Sequence, residues 1–308
     1  MTNLRNSNKI QPNTDEDIAN QYGADLKMSK FELLKAFTDE LSQKNIQIPP
    51  CPESALRIKN AVENASANAN QLADIVKTEP LLVARIFGYA NSAFSRGQAG
   101  EISNLGTAIA RIGANTVKNI SLALATESAF EQPQNSKLKA LVTRYRTESV
   151  VVSLFCTELA RRTSVNDIAP DDAMLAGLLH AIGKFYLIAQ HGRFPELFES
   201  ADELEQLIEE WHTGIGASIL EYWQLSPEAV RAIDTYTAPA INPSEPDDAS
   251  ILRVAYLLSK DFIDSKAVWE HHCENPQLSA LNINEIQFQE IVAKVNQLAP
   301  PMISAMSC

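Results

Sequence analysis

The densest group of chemically capable residues lies in the run GLLHAIGK, from Gly177 to Lys184. A phosphate-binding loop needs four residues between its glycines, a Ser or Thr after the Lys, and a strand before it. Here five residues separate Gly177 from Gly183, Phe185 follows the Lys, and the surrounding pattern is helical. The spacing therefore argues against a nucleotide-binding loop and leaves His180 and Lys184 as polar groups to be explained.

Other metal-binding residue types in the chain lack the spacing of a metal site. His271, His272 and Cys273 are adjacent, but no second pair follows at zinc spacing, so we expect a solvated loop there. The four cysteines are far apart and unpatterned, which is typical of reduced thiols in the cytoplasm. They are Cys51, Cys156, Cys273 and Cys308.

Charge excludes two classes of partner. The chain has a formal net charge of −12, which disfavours binding to nucleic acid or to an anionic membrane surface. No apolar run reaches the roughly 18 residues that a membrane span needs. The polar N-terminus has no apolar segment of the kind found in secretory signals. We therefore expect a cytoplasmic protein that contacts neither nucleic acid nor membrane.

The segment from Phe194 to Val230 contains nine acidic residues and no Lys or Arg. Such a run is usually a solvated helix face. The alternative is a docking face for a basic partner, and the sequence leaves both interpretations open. The acidic residues are Glu196, Glu199, Asp202, Glu203, Glu205, Glu209, Glu210, Glu221 and Glu228.

The elements that must position these residues are predicted to be helices. Glycine is scarce, at 11 of 308 residues, and no alternating strand pattern occurs. The sequence predicts an all-α fold in two packed helical lobes. We expect a disordered arm over 1–27, an N-terminal lobe over 28–132, a C-terminal lobe over 133–300 and a tail over 301–308.

Individual helices follow from apolar residues at helical spacing. The first is predicted to begin after Ser29 as its N-cap. Two helices between Leu105 and Phe130 are predicted to break near Gly113, and a single helix from Pro170 is predicted to carry GLLHAIGK. The apolar face of the first helix is assigned to Phe31, Leu34, Phe37 and Leu41. Further helices are predicted near 138–162, 200–223, 226–235, 247–264 and 284–298.

Several separated motifs carry a resemblance to a known family. GLLHAIGK resembles the GLLHDIGK signature of the HD phosphohydrolase superfamily. The stretch IPPCPES and the run TEPLLVARIFGYANSAF are similar to the opening of the HDOD family, a degenerate branch of that superfamily, and ISNLGTAIARIG fits the pattern that follows. The similarity covers roughly residues 46–262. It implies a multi-helical, HD-domain-like bundle in two lobes.

The resemblance also implies where the metal ligands of active relatives would fall. The superfamily uses a His, a His-Asp pair and a later Asp, because imidazoles and carboxylates together suit Mn, Fe or Mg ions. The match gives His180 for the His of the pair, but Ala181 stands where its Asp should be. The first His falls at Glu148 and the late Asp at Tyr256.

Two further positions complete this comparison. An additional His of related branches matches His212, and their later His pair falls at Tyr236 and Thr237. Most of the hydrolase ligand set is therefore missing.

The remaining residues allow two interpretations of the site. Glu148, His180 and His212 form a two-His-one-carboxylate set, which could hold a divalent ion such as Mn, Fe, Mg or Ni. We favour the alternative, in which the histidines are hydrogen-bonded core residues and no cofactor is bound, because the bridging Asp is lost. Lys184 is either a neighbour of a substrate phosphate, as in active relatives, or a helix-surface lysine. The candidate ligand pocket comprises Glu148, His180, Lys184, His212 and Tyr256.

Three signature residues of the family lie in the N-terminal lobe. They are Arg85, Asn91 and Ser92. One interpretation is that Asn91 and Ser92 close their helix by side-chain-to-backbone hydrogen bonds. The other is that the three residues form a recognition surface.

The resemblance implies a signalling or regulatory protein of bacterial type. We expect a stand-alone, non-catalytic HDOD protein that acts through protein partners in a signalling pathway. One alternative is a metal-dependent phosphohydrolase with a divergent site. The other is a sensor that holds a nucleotide or another small anion in the emptied pocket, near Lys184.

Overall fold

The computed structural model describes residues 28–39, 51–64, 68–91, 102–130, 133–163, 168–238, 246–263 and 269–306. Within these ranges the chain forms helices and turns and no strand, so the predicted all-α class is confirmed. The predicted arm over 1–27 lies outside the described residues.

The N-terminal helices surround a small apolar core. Helix α1 covers residues 28–39. It is followed by α2 (Glu53–Glu63), α3 (Ala69–Val76), α4 (Pro80–Ala90), α5 (Leu105–Ile112) and α6 (Ala114–Ala129). The small core includes Ile58, Leu72, Leu82 and Ile86. The predicted break between α5 and α6 occurs at Gly113, whose φ of 86° suits a residue without a Cβ.

The larger core is built around one long helix, α7 (Ser136–Arg162). It is followed by α8 (Pro170–Leu179), α9 (Ile182–Ala189), α10 (Ala201–Tyr222), α11 (Pro227–Thr235), α12 (Asp248–Ile263), α13 (Trp269–His272), α14 (Pro276–Ala280) and α15 (Glu285–Met306). Short 3₁₀ turns at Gln190–Gly192 and Pro195–Phe198 connect α9 to α10. Helix α7 packs against α8, α12 and α15 and is buried along most of its length.

The two cores do not divide the chain at one point. Helix α6 contributes Val117 and Ile120 to the small core and Leu122 to the large one. Helix α1 also packs on the large core, where the ring of Phe37 lies 5.1 Å from that of Tyr186. The first helix, predicted in the N-terminal lobe, thus buries Leu33 and Phe37 in the large core.

The structure corrects several details of the predicted helices. Leu33 and Phe37 form the buried face of α1, whereas Phe31 is 62% exposed, and Ser29 is already helical. The predicted single helix from Pro170 is interrupted at residues 180–181, between α8 and α9.

Two features near the C-terminus also differ from expectation. Helix α15 continues to Met306, through the segment predicted as a tail, because Met302 packs in the large core. The expected loop at His271 and His272 belongs to α13, where His272 is buried and its Nε2 lies 3.0 Å from the Asp261 carboxylate.

One described segment, Pro170–Gly192, is long and apolar enough to cross a membrane by length and composition alone. Its most apolar window is 89% buried within the fold. That burial is typical of a core helix, since a lipid-facing helix would present its apolar side chains outward.

Candidate functional site

Two glycines of GLLHAIGK allow close helix packing around His180. A Cβ placed on Gly177 would lie 2.5 Å from the Ser153 Cα of α7, and one on Gly183 would lie 2.0 Å from the His212 carbonyl oxygen of α10. Neither position has room for a side chain. The glycines that resembled a phosphate loop therefore bring α8 onto α7 and α9 onto α10.

The inherited site residues meet in a buried cluster. We use the term inherited cluster for Glu148, His180, Lys184, His212 and Tyr256. Each of these residues is less than a tenth exposed. Hydrogen bonds and ring contacts join them to one another and to Tyr236.

An ion pair lies at the centre of the inherited cluster. The Lys184 ammonium donates to Glu148 Oε1 at 2.7 Å, and His180 Nε2 lies 3.1 Å from the same oxygen. Burial alone would raise the pKa of Glu148, but the hydrogen bond from His180 and the charge of Lys184 hold that pKa well below its ordinary range. Glu148 is therefore an ionised carboxylate with two donors on one oxygen.

Both ring nitrogens of His180 lie within hydrogen-bond distance of protein oxygens. Nδ1 lies 2.8 Å from the Gly177 carbonyl oxygen, which can only accept, so Nδ1 donates. Nε2 faces the ionised Glu148 carboxylate, which is also an acceptor. Both nitrogens are therefore engaged by groups of the protein itself.

Lys184 is enclosed by aromatic rings. It is 3% exposed, and its Nζ lies 4.6 Å from the Tyr145 ring centroid and 5.1 Å from that of Tyr256. Burial lowers the pKa of Lys184, and the Glu148 carboxylate opposes that shift. This burial corrects the expectation of a helix-surface lysine, whereas a place beside a substrate phosphate stays a prediction.

His212 is held by a second hydrogen-bond pair. Its Nδ1 donates to the Ile208 carbonyl at 2.6 Å, so its Nε2 is an acceptor, and the Tyr236 hydroxyl donates to it at 2.8 Å. Burial and the nearby Lys184 charge lower the pKa of His212 to about 3. His212 is therefore neutral, and its lone pair is used by Tyr236.

Tyrosine rings fill the space beside His180. The rings of Tyr236 and Tyr256 are 5.3 Å apart, and each lies within 6 Å of the His180 ring. Sequence reasoning placed Tyr236 at an inherited His position but not in the site, and it missed Tyr145. The available signal for Tyr145 was its position one turn before Glu148 on the same face of α7.

These contacts determine whether the site can hold a divalent metal. Within the described ranges, no group of three or more His, Cys, Asp or Glu side chains is arranged to hold an ion. Glu148 is paired with an ammonium, both nitrogens of His180 face oxygens of the protein, and Nε2 of His212 accepts from Tyr236. The donor set of this structure does not fit a metal.

Two of the three signature residues, Arg85 and Asn91, are among the described residues. Asn91 donates to the Ile102 carbonyl at 2.9 Å and accepts from the Ile102 N–H at 2.8 Å, so it joins two segments that are eleven residues apart. Arg85 is 2% exposed and therefore cannot belong to a recognition surface. Ser92 lies outside the described residues.

The acidic run forms much of the solvent face of α10. Asp202, Glu205, Glu209 and Glu210 are exposed there, and Trp211 beside them is 39% exposed. This face could serve either as an ordinary solvated surface or as a docking surface.

Comparison with known proteins gives one family and several similar folds. The HDOD domain family model matches residues 48–239. No curated protein matches the chain at a significant level.

Two similar solved structures come from Shewanella amazonensis. One, provisionally described as a metal-dependent phosphohydrolase, has 22% identity and a TM-score of 0.64, covering 87% of this chain and 99% of that one. The other, provisionally described as a phosphohydrolase, has 20% identity and a TM-score of 0.66, covering 88% and 98%.

A third similar structure comes from Marinobacter aquaeolei. It is provisionally described as a signal transduction protein and has 21% identity and a TM-score of 0.63, covering 92% of this chain and 66% of that one. At these identities, the three likenesses establish the fold.

Proposed function

The chain belongs to the HDOD domain family, and we propose that it is a non-catalytic signalling or regulatory member of that family. The observation that carries the proposal is the Lys184–Glu148 ion pair, which supplies a positive charge from the protein itself to the carboxylate of the inherited cluster. The provisional description of the Marinobacter aquaeolei protein supports a role in signal transduction.

Electrostatics favour this arrangement over a metal centre. A divalent ion beside Glu148 would be repelled by the Lys184 ammonium, which already balances the charge of that carboxylate. Metal binding would also require breaking the hydrogen bond from the Tyr236 hydroxyl to His212 Nε2 and turning His180 away from Glu148. Each change would leave a buried polar group without its present partner, at about 1–3 kcal/mol per group.

The competing function is metal-dependent phosphohydrolysis, which the provisional descriptions of the Shewanella amazonensis proteins suggest. A bound ion would activate water for attack on a phosphate ester. In this chain, Ala181 offers no ligand atom at the position of the bridging Asp. Tyr236 and Tyr256 offer phenols whose pKa is raised by burial, so they resist the deprotonation that metal ligation favours.

Hydrolysis assays distinguish the two functions. The purified protein is incubated with phosphomonoester, phosphodiester and cyclic dinucleotide substrates in the presence of Mn, Fe, Mg or Ni. We expect no turnover above that of a His180→Ala variant. Turnover by the wild type that the His180→Ala substitution abolishes would overturn the proposal in favour of the hydrolase.

The proposed signalling role requires a protein partner. The exposed acidic face of α10 would attract a basic partner and speed its association at low salt. Capture from native cell extract, compared between wild type and a Glu209→Lys, Glu210→Lys variant, tests this surface. A partner that binds both proteins equally at low and high salt would exclude the acidic face from docking.

A further inference from the structure

A cavity of about 280 Å³ lies beside the inherited cluster. It is bounded by the first turns of α7, the 3₁₀ turn Pro195–Phe198 and the first turns of α10. Its apolar wall is formed by Leu138, Leu141, Tyr145, Phe198, Leu204 and Ile208. A concave apolar site of this kind, bordered by a few polar groups, is the usual form of a small-molecule site.

Charges of both signs border this cavity. Lys137 and Arg144 lie on α7, Glu199 follows the 3₁₀ turn, and Glu205 lies near the start of α10. Among the described residues, none of these four side chains has an ion-pair or hydrogen-bond partner, so they are available to a ligand. Both signs act on the same wall, because the pKa of Tyr145, raised mainly by burial and by Glu148, is lowered by the Arg144 charge and raised by the Glu205 charge.

This arrangement selects among ligand classes. A nucleotide carries several negative charges and would be repelled by Glu199 and Glu205. A purely apolar molecule would leave the four charged groups unused. An apolar body that carries one carboxylate and one ammonium matches both the wall and its border.

We propose that the cavity between α7 and α10 binds a small zwitterion with an apolar body, an apolar amino acid or a short apolar peptide. Lys137 and Arg144 hold the carboxylate, and Glu199 and Glu205 hold the ammonium. The volume suits a ligand of this size. Ligand binding at this site would provide a signal to the proposed signalling function. The biological role of the site rests on that proposed function, but the binding of the ligand does not depend on it.

Tyr145 connects this cavity to the inherited cluster. Its side chain lines the cavity, and its ring also lies 4.6 Å from the Lys184 Nζ. A ligand that displaces or fixes the Tyr145 ring therefore alters the surroundings of the Lys184–Glu148 pair. Ligand binding would therefore affect the Lys184–Glu148 pair through Tyr145, although the ligand does not enter the inherited cluster.

Isothermal titration of the full chain tests the ligand chemistry. The probes are L-phenylalanine, L-leucine and the dipeptide Leu-Leu, set against 3-phenylpropanoate, 2-phenylethylamine, glycine and AMP. We expect saturable binding of at least one apolar zwitterion, and binding at least about tenfold weaker for the analogues that lack either charge or the apolar body. Comparing Leu-Leu with L-leucine distinguishes a peptide ligand from a free amino acid, because the ammonium and the carboxylate are farther apart in the dipeptide.

Variants test the location of the site. Arg144→Gln and Glu205→Gln should each weaken binding by about tenfold, and Ala201→Phe, at the exposed edge of the cavity, should block it. Lys139→Gln is the matched control, because Lys139 is exposed on the same helix and does not line the cavity. Thermal unfolding of each variant confirms that it is folded.

Several outcomes would overturn the proposal. They are no saturable binding of any apolar zwitterion up to about 10 mM, equal binding of an analogue that lacks one charge, and binding unaffected by both Gln substitutions. Preferential binding of AMP would replace the proposal with a nucleotide site. Each of these results leaves the hydrolysis assays unchanged, so failure of this inference is distinguishable from failure of the proposed function.

Discussion

Replacing Lys184 with Met removes the ammonium from the buried ion pair while keeping most of the side-chain volume. The variant loses the 2.7 Å charge-assisted hydrogen bond to Glu148, worth about 1.5–3 kcal/mol. It also loses the contacts of a desolvated cation with two tyrosine rings, worth up to about 2 kcal/mol. The sum agrees with the roughly 3–5 kcal/mol expected when one partner of a buried pair is removed.

Urea unfolding measures this loss and identifies its origin. Lys184→Met should lower the free energy of unfolding by about 3–5 kcal/mol. The double variant Glu148→Gln, Lys184→Met leaves no unpaired carboxylate, so it should recover at least about 2 kcal/mol of that loss. Lys260→Met is the control, because Lys260 lies 4.4 Å from the Tyr256 ring but is exposed and should cost below about 1 kcal/mol.

Acid unfolding provides a second readout of the same substitution. The pKa of Glu148 is lowered in the folded protein, so its contribution to stability is complete above the unfolded pKa near 4.3 and is lost as pH falls toward the folded value. Without Lys184, the folded pKa rises and this contribution shrinks. A Lys184→Met variant with wild-type stability and wild-type acid unfolding would refute the reasoning.

Three further predictions concern other parts of the fold. Because the pKa of His212 is lowered to about 3 in the folded protein, the free energy of unfolding should fall as pH drops from about 6.5 toward 3, by up to about 1.4 kcal/mol per pH unit. His212→Gln should flatten this slope in urea unfolding, and an unchanged slope would contradict the assignment. Gly183→Ala should destabilise the protein by more than about 1–3 kcal/mol in urea unfolding, because backbone blocks the Cβ, whereas Gly192→Ala, with open space around it, should be tolerated; equal effects would refute the close packing. Ile86→Ala should cost about 2–5 kcal/mol and Leu81→Ala, at a 37% exposed position, much less, and similar losses would mean that α4 is not oriented as described.

The helical class of the fold was predictable from local signals. Apolar residues at helical spacing predicted α7 and α10 closely, and Gly113 marked the break between α5 and α6. The break at residues 180–181 was not predicted, because apolar residues continue on both sides of His180 and no proline lies there. Its cause is tertiary: Gly183 must approach the His212 carbonyl.

The residues of the site were predictable from the family resemblance, but their contacts were not. The family resemblance pointed to Glu148 and His180, whose side chains lie within hydrogen-bond distance of each other. It left the environment of Lys184 undecided, because its partner Glu148 lies 36 residues earlier in the chain. The role of Tyr236 depends on α10 and the end of α11 meeting, which no local pattern reports.

The metal content of the purified protein tests the central claim most directly. The protein is equilibrated with Mn, Fe, Mg or Ni and separated from unbound ion by gel filtration. The number of metal ions per chain is then measured by elemental mass spectrometry. Because Lys184 pairs with Glu148, Tyr236 donates to His212 and both His180 nitrogens face oxygens of the protein, the account predicts far less than one ion per chain for every metal. About one ion per chain that is lost in a His180→Ala, His212→Gln variant would contradict it.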